Sequence, residues 1–406
     1  MPTRRTVSDD STSAKKIAGG KRVVEAVKGA IRKGVGGGKK KTIIKALRQK
    51  AAEDGARRPH QLERHESNPI IEPREGNFWE MKATFNPGAI YADRRVHLLY
   101  RAIGADDISV LGYAASEDGI TITERLDEPA FIPSTTKKPD PNEPATLPAY
   151  CSGGGWNGGC EDPRLTLIDD KVYLMYTAFD GWGSIRIALS SIDLGDFLKK
   201  NWDWKKPALI SPPGEIHKNW MLFPEKINGK FALLHSISPE IRVDYFDTLD
   251  ELEREERVVT SRYDRISRTG SWDSWIRGAG PPPIRTKFGW LLFYHAMDIR
   301  DPDRYKLGAM ILDANDPTKI LYRTRVPILE PDMYYENSGF KSGVVYSCGA
   351  VVKDGELYVY YGGGDSVVCV AMANLDMFLD ELRKYGTPHL AVGAKSGAAR
   401  TPDARR

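Results

Sequence analysis

The chain has 406 residues, 41% hydrophobic and 28% charged, a balance that suits a globular protein with ample core and excludes a disordered or fibrous one. No apolar run approaches the roughly 20 residues that span a bilayer, and the N-terminus lacks the apolar core of a secretory signal, so a cytoplasmic, non-transmembrane protein is expected. The net charge of +4 conceals a division: residues 1–64 hold 18 Lys and Arg against 6 Asp and Glu, a surplus of +12, which leaves −8 for the remainder.

Residues 1–64 alternate Gly-rich pieces (Gly34-Val35-Gly36-Gly37-Gly38) with basic ones (Lys39-Lys40-Lys41). The spacing of Val23, Val24, Val27 and Ile31 suggests a short basic amphipathic helix; the other reading is a solvated, largely disordered extension. Such a segment suits contact with an anionic surface. Stacking aromatics are not interleaved with its charges, so specific nucleic-acid binding is not expected.

From residue 65 the texture changes and an internal repeat appears. A Tyr-rich apolar strand is followed by a turn and a second strand of small and apolar residues. The pairs are Val96–Arg101 with Leu111–Ala115, Val172–Thr177 with Ile185–Leu189, and Phe231–His235 with Arg242–Phe246. Trp290–His295 with Leu307–Leu312, and Leu357–Tyr361 with Val367–Ala371, complete the set. Their β-branched and aromatic bias marks them as strands. Proline-bounded apolar pieces at Pro69–Pro73, Pro129–Pro133, Pro207–Pro212 and Pro327–Pro331 suit edge positions, where a missing donor costs little. Five such units predict an all-β fold, a five-bladed β-propeller over residues 65–388, with a disordered tail over 389–406. An irregular β-sandwich is the alternative, but it would not require five similar hairpins.

Four cysteines, Cys151, Cys160, Cys348 and Cys369, are too few and scattered for a disulfide framework or a paired zinc motif, and no metal site is expected. A Cys151–Cys160 bridge is open, but reduced thiols fit the expected compartment.

In a propeller the inner strands project side chains into one funnel. The corresponding strand ends carry Asn86, Arg101, Asp162 with Arg164, His235, His295 and Asp365, a convergence of acids, bases and amides typical of a site. Asp365, after Gly362-Gly363-Gly364, equally suits a turn cap. Glu161-Asp162-Pro163-Arg164 follows a loop rich in Gly and Cys and precedes a strand. It reads either as a loop salt bridge or as a general acid whose neighbour is fixed by the guanidinium. Trp79, Trp156, Trp182 and Trp220 near these motifs suit stacking on sugar faces or core packing. The Pro- and Gly-rich loop Thr135–Asn157 suits a rim element.

Asn86-Pro87-Gly88, Leu99-Tyr100-Arg101, Glu161-Asp162-Pro163-Arg164, Phe223-Pro224-Glu225-Lys226, Gly278-Ala279-Gly280-Pro281-Pro282, Tyr294-His295 and Tyr361-Gly362-Gly363-Gly364-Asp365 occur in one order. In these motifs the chain resembles glycoside hydrolase family 130, the β-mannoside phosphorylases and related β-mannosidases, between about residues 68 and 385. The resemblance implies a five-bladed propeller and inversion at the anomeric carbon without metal or cofactor, with inorganic phosphate as co-substrate. It makes Asp162 the general acid, acting through a mannose hydroxyl. Asn86, Arg101 and Asp365 look like mannose-binding positions, and Glu161 and Arg164 are counted with them as substrate-binding; Lys218, His295 and Tyr305 look like the phosphate cradle. One departure stands out: where the phosphorylases carry a basic residue after the strand matching Leu233-Leu234-His235, this chain has Ser236. Either Arg186 or Arg242 replaces that cation from elsewhere, or the reaction is hydrolysis, with Glu215, Glu225 or Glu240 activating water. A non-catalytic carbohydrate-binding propeller would keep the aromatics but not need Asp162. The partners expected are an oligosaccharide substrate and, for the assembly, further copies of the chain.

Overall fold

A computed structural model describes residues 61–132, 158–179, 185–213, 215–254, 258–259 and 271–387. The basic segment up to residue 60, the loop Thr135–Asn157, Cys151, Trp156 and Trp182 lie outside the described residues, as does the chain beyond 387.

The described residues are mostly strands, arranged in successive antiparallel groups. Strand β1 (Glu63–Arg64) comes first and finds its partner only at the far end of the chain. The first group is β2 (Ala83–Ala92), β3 (Arg95–Ile103) and β4 (Ser109–Ser116), edged by β5 (Glu124–Arg125). The second is β6 (Gly159–Ile168), β7 (Lys171–Phe179) and β8 (Ile185–Asp193), edged by β9 (Ala208–Leu209). A single parallel bridge, Ser109 to Gly159, joins these two groups into one eight-stranded sheet. The third group is β10 (Met221–Leu222), β11 (Phe231–Ser236) and β12 (Arg242–Phe246). In the fourth, β13 (Trp275–Ala279) and β14 (Ile284–Thr286) both flank β15 (Gly289–Asp298), which continues to β16 (Asp301–Leu312) and β17 (Ile320–Arg323). The last is β18 (Val345–Lys353), β19 (Glu356–Gly363) and β20 (Val367–Asn374), onto which β1 pairs.

The expected hairpins are thus β3–β4, β7–β8, β11–β12, β15–β16 and β19–β20. The proline-bounded pieces are edge elements: Ile71 bridges Val368, Phe131 bridges Leu111, β9 pairs β8, and Leu329 bridges Leu307. Among the described residues there are four helices: α1 (Leu194–Lys199), α2 (Asp250–Glu253), α3 (Tyr334–Asn337) and α4 (Leu375–Tyr385). None of the described helices is long and apolar enough to cross a membrane.

Strands such as β4 and β19 are buried on both faces, which is why they read as apolar runs and not as alternation, whereas β12 is only partly buried. Leu99 and Tyr113 of the first group pack with Leu165 and Leu174 of the second. Met175 and Leu189 pack with Leu222 and Leu233 of the third, and Met221 and Leu234 with Leu292 and Met310 of the fourth. Phe293 and Ala309 then pack with Val359 and Tyr361 of the last group. Tyr358, Tyr360 and Val370 return to Leu98, Tyr100 and Ala114 of the first. The apolar contacts therefore run in a closed cycle, each group touching its two neighbours.

β1 lies just ahead of the boundary expected at residue 65 and is tied firmly into the last sheet. Arg64 donates from Nε to Glu336 Oε1 at 2.7 Å and from Nη2 to Glu336 Oε2 at 2.9 Å, and Tyr361 Oη donates to the same carboxylate at 2.8 Å. Glu336 is fully buried. Arg64→Ala would leave this carboxylate buried without its counter-ion, so a loss of about 2–3 kcal/mol of stability is expected by urea unfolding. A loss under about 0.5 kcal/mol would mean that the backbone N–H groups of Asp332 and Met333, which also donate to Glu336, suffice to hold the charge.

Candidate functional site

The site grows from a repeated irregularity. In β2, Asn86 and Pro87 both oppose the single residue Tyr100, so the register shifts between Phe85 and Gly88. In β6, Asp162 and Pro163 do the same opposite Tyr176. β11, β13 and β18 carry shifts at His235, Arg277 and Cys348. A bulge bends its strand and re-aims the extra side chain, and proline fits there because the ladder needs no donor from it. Asn86 and Asp162 have φ of 46° and 53°, and Asp365 and Asn219 have 52° and 67°. Left-handed backbone at non-glycine residues is uncommon and gathers at functional positions.

Asp162 is the hub. Its Oδ1 accepts from Asn86 Nδ2 at 2.8 Å and lies 3.5 Å from Arg101 Nη1. Arg101 also donates from Nη2 to Glu161 Oε1 at 3.0 Å and from Nε to Ser109 Oγ at 2.9 Å. Lys218 Nζ donates to the other oxygen of Glu161 at 2.8 Å. Glu161 thus bridges two cations while Asp162 stands beside them, and all except the half-buried Lys218 are buried. Burial pushes the Asp162 carboxyl up, but the charges of Arg101, Lys218 and Arg164 and the Asn86 bond prevail and hold it below the usual carboxylate range. Burial likewise works against the charge on Lys218, but Glu161 and Asp162 hold it above its ordinary value.

Arg164 does not pair with the side chain of its neighbour, as a loop salt bridge would. It donates to the backbone carbonyls of Asp162 (2.9 Å), Gly280 (2.9 Å) and Ala279 (3.2 Å) and to Asn219 Oδ1 (2.8 Å). It therefore ties β6 to the segment ahead of β10 and to the end of β13. Tyr346 Oη donates to the same Asn219 oxygen at 2.6 Å. Asn219 reaches so close to β13 that a Cβ at Gly278 (φ +142°) would stand 2.2 Å from its Nδ2, which is why only glycine fits there.

His295 lies one layer behind, wholly buried, its ring stacked on Tyr346 with centroids 3.8 Å apart. Its Nε2 accepts from the Ser347 N–H at 2.9 Å, and Nδ1 finds no partner among the described residues. Burial, reinforced by the Arg164 charge, pushes it down to about 3. The imidazole is therefore neutral near pH 7, and what His295 could bring to a phosphate cradle is a neutral ring with an Nδ1–H to offer. Tyr305 accepts from Arg277 Nε at 3.0 Å, and Lys341 Nζ lies 4.4 Å from its ring centre.

Asp365, in the turn after β19, is buried beside these charges. Burial pushes its carboxyl up to about 6; Lys341 and Arg101 pull the other way, while Asp162 and Glu161 push with burial. Its folded pKa lies above the unfolded value near 3.9, so the folded state holds this proton more tightly and charged Asp365 costs stability above pH 6. Asp365→Asn is expected to gain roughly 2–3 kcal/mol at pH 8, the gain fading as pH falls from 6 to 4. Urea unfolding at several pH values checks this; a difference that does not vary with pH would contradict the assigned burial.

Asn219, Arg277, Lys341 and Tyr346 have no place in the expectations from sequence, although Arg277 adjoins the Gly278-Ala279-Gly280 motif. Trp79 stacks on Tyr100 and donates to Asp127 O, and Trp220 is buried between His217 and His235, so both serve packing. Cys160, Cys348 and Cys369 are buried free thiols. Among the described residues no group of three His, Cys, Asp or Glu side chains is arranged to hold a metal.

The model of glycoside hydrolase family 130, described as beta-1,4-mannooligosaccharide phosphorylase, matches residues 48–384. A 1,2-beta-oligomannan phosphorylase of Thermoanaerobacter sp. (strain X514) is 38% identical over 323 residues, covering 77% of this chain and 97% of its own. A beta-1,2-mannobiose phosphorylase of the same organism is 36% identical, covering 77% and 96%. Among solved structures, the beta-1,2-mannobiose phosphorylase of Listeria innocua in complex with beta-1,2-mannobiose has a TM-score of 0.61 at 26% identity, covering 80% of this chain and 99% of its own.

Proposed function

This chain belongs to glycoside hydrolase family 130, and from that premise we propose that it is an inverting β-mannoside phosphorylase. It takes a short β-mannooligosaccharide and inorganic phosphate to α-mannose 1-phosphate and the shortened sugar. The observation that carries this reading is the buried Glu161–Asp162 pair held between Arg101 and Lys218, at the edge of a pocket walled by Lys218 and Arg277. A carboxyl for the leaving oxygen thus adjoins cations for an anionic nucleophile, the division of labour that inversion requires.

In this mechanism a phosphate oxygen attacks the anomeric carbon from the face opposite the leaving group. The C1–O bond breaks, and Asp162 supplies the proton that the leaving oxygen takes up, relayed by a mannose hydroxyl. Asn86, Arg101 and Asp365 hold the mannose. Asn86 stands at the same place: its Nδ2 donates to Asp162 and its Oδ1 is buried against Gly362. Glu161 and Arg164 position the acid, and Lys218, Tyr305 and the neutral His295 serve the phosphate side. The names of the Thermoanaerobacter and Listeria proteins support β-1,2 linkages as the first to test. The fold we propose is a five-bladed β-propeller, supported by the five hairpins, the closed cycle of apolar clusters and the pairing of β1 with β20. A cytoplasmic location is part of the same reading, as are self-assembly and contact of the basic N-terminal segment with an anionic surface; the buried free thiols support the compartment.

Hydrolysis would need a carboxylate to activate water. Glu215, Glu225 and Glu240 are exposed, with Glu215 engaged by His217 and Glu240 by Arg242, and none of them lines the pocket beside Lys218. Incubation with β-1,2- and β-1,4-mannobiose, with and without phosphate, tests the reading. Phosphate-dependent mannose 1-phosphate is expected; free mannose formed equally without phosphate would establish a hydrolase instead.

A further inference from the structure

We propose that Arg277 binds the attacking phosphate and supplies the cation that Ser236 does not. The inference rests on the phosphorylase reading above. A small, open pocket lies beside Lys218, with Asn219, His235, Ser236, Ser238 and Arg277 on its wall, and none of its described lining residues is a carboxylate. A wall whose described side chains include cations, hydroxyls and an amide suits an anion. Lys218 already answers Glu161 at 2.8 Å, so a multiply charged ligand needs a further cation, and Arg277 is the other one on the wall.

Its position follows from the strand. β13 shifts register between Ile276 and Gly278, so Arg277 is the extra residue of a bulge and leaves the ladder. Its guanidinium lies over the Trp275 ring at 4.3 Å from the centre, and Nε donates to Tyr305 Oη at 3.0 Å. These contacts hold the fork in place before any ligand arrives, which lowers the ordering entropy of a bidentate grip on phosphate. Because Tyr305 Oη accepts from Arg277, the hydroxyl fixes the guanidinium and does not compete with it for an anion. The other two arginines considered for this task lie away from this pocket. Arg186 donates to the carbonyls of Leu209 and Ser211, and Arg242 donates to Glu240; neither lines the pocket.

The test is steady-state phosphorolysis of β-1,2-mannobiose by the full chain, with the KM for phosphate and the KM for the disaccharide measured separately. Arg277→Gln is expected to raise the phosphate KM about tenfold or more while the disaccharide KM moves by less than about twofold, because only the charge-assisted contact to the anion is lost. Arg277→Lys should recover part of the difference, since a point charge replaces the fork. A merely structural Arg277 would move both constants together or neither, and either result overturns the assignment. If Arg277→Gln does not fold, Arg277→Lys and inhibition by sulfate are read in the same way: an unchanged phosphate KM and sulfate inhibition constant overturn it. Wild-type protein that releases mannose without phosphate would instead sink the phosphorylase reading itself.

Discussion

Asp162→Asn is expected to lower phosphate-dependent release of mannose 1-phosphate by roughly 10²- to 10⁴-fold, the range set by loss of a general acid. The amide preserves the shape at the bulge and still offers an oxygen to Asn86 Nδ2, so the fold should persist by circular dichroism. The prediction has a second part. In the ligand-free site the Asp162 carboxyl is held below its usual range despite burial, by Arg101, Lys218 and Arg164, and a deprotonated carboxylate is no acid. Phosphate entering beside Lys218 competes for the same positive charge and pushes the Asp162 pKa up, so the acid forms when its co-substrate is bound. The alkaline limb of kcat/KM for the disaccharide should therefore move to higher pH as phosphate concentration rises in wild type and vanish in the variant. Turnover retained within about threefold in Asp162→Asn would remove Asp162 from the mechanism. Retained sugar binding in a wild type without turnover would favour a lectin.

Arg101→Met is expected to cost about 3–5 kcal/mol in urea unfolding, because it strips a buried carboxylate pair of its shared cation. Arg101 is essentially inaccessible, touches Glu161 at 3.0 Å and Asp162 at 3.5 Å, and stacks 4.8 Å from the Phe85 ring centre. Methionine keeps the apolar stem but leaves Glu161 to Lys218 alone. Removing the Arg101 charge also lets burial act on Asp162, so the variant should take up a proton at higher pH than wild type and lose less stability below pH 5 than above it. A change under about 1 kcal/mol would show that Lys218 and Arg164 compensate both carboxylates, and the site would then be less tightly coupled than its distances imply.

The hairpins were legible because their residues are β-branched and aromatic and because each copy repeats the last. The first strand of each group was not. β2 reads Ala-Thr-Phe-Asn-Pro-Gly-Ala-Ile-Tyr-Ala and β6 reads Gly-Cys-Glu-Asp-Pro-Arg-Leu-Thr-Leu-Ile. A proline and polar residues in mid-strand argue against a central strand, and burial on both faces erases the alternation that would reveal one. Glu161-Asp162-Pro163-Arg164 therefore looked like a loop before a strand, whereas it lies inside β6 at the bulge.

Composition, motif order and repeat pattern by themselves determined the strand-rich class, the hairpins, the family and the acidic pair, because those properties are written in local runs of residues. Tertiary structure alone decided which charges answer one another. Arg101 on β3, Glu161 and Asp162 on β6 and Lys218 ahead of β10 are separated by up to 117 positions along the chain, and a Coulomb interaction depends on distance in space and on burial, not on sequence spacing. The same holds for Arg277: an arginine beside a glycine motif is ordinary until a bulge turns it toward the pocket beside Lys218.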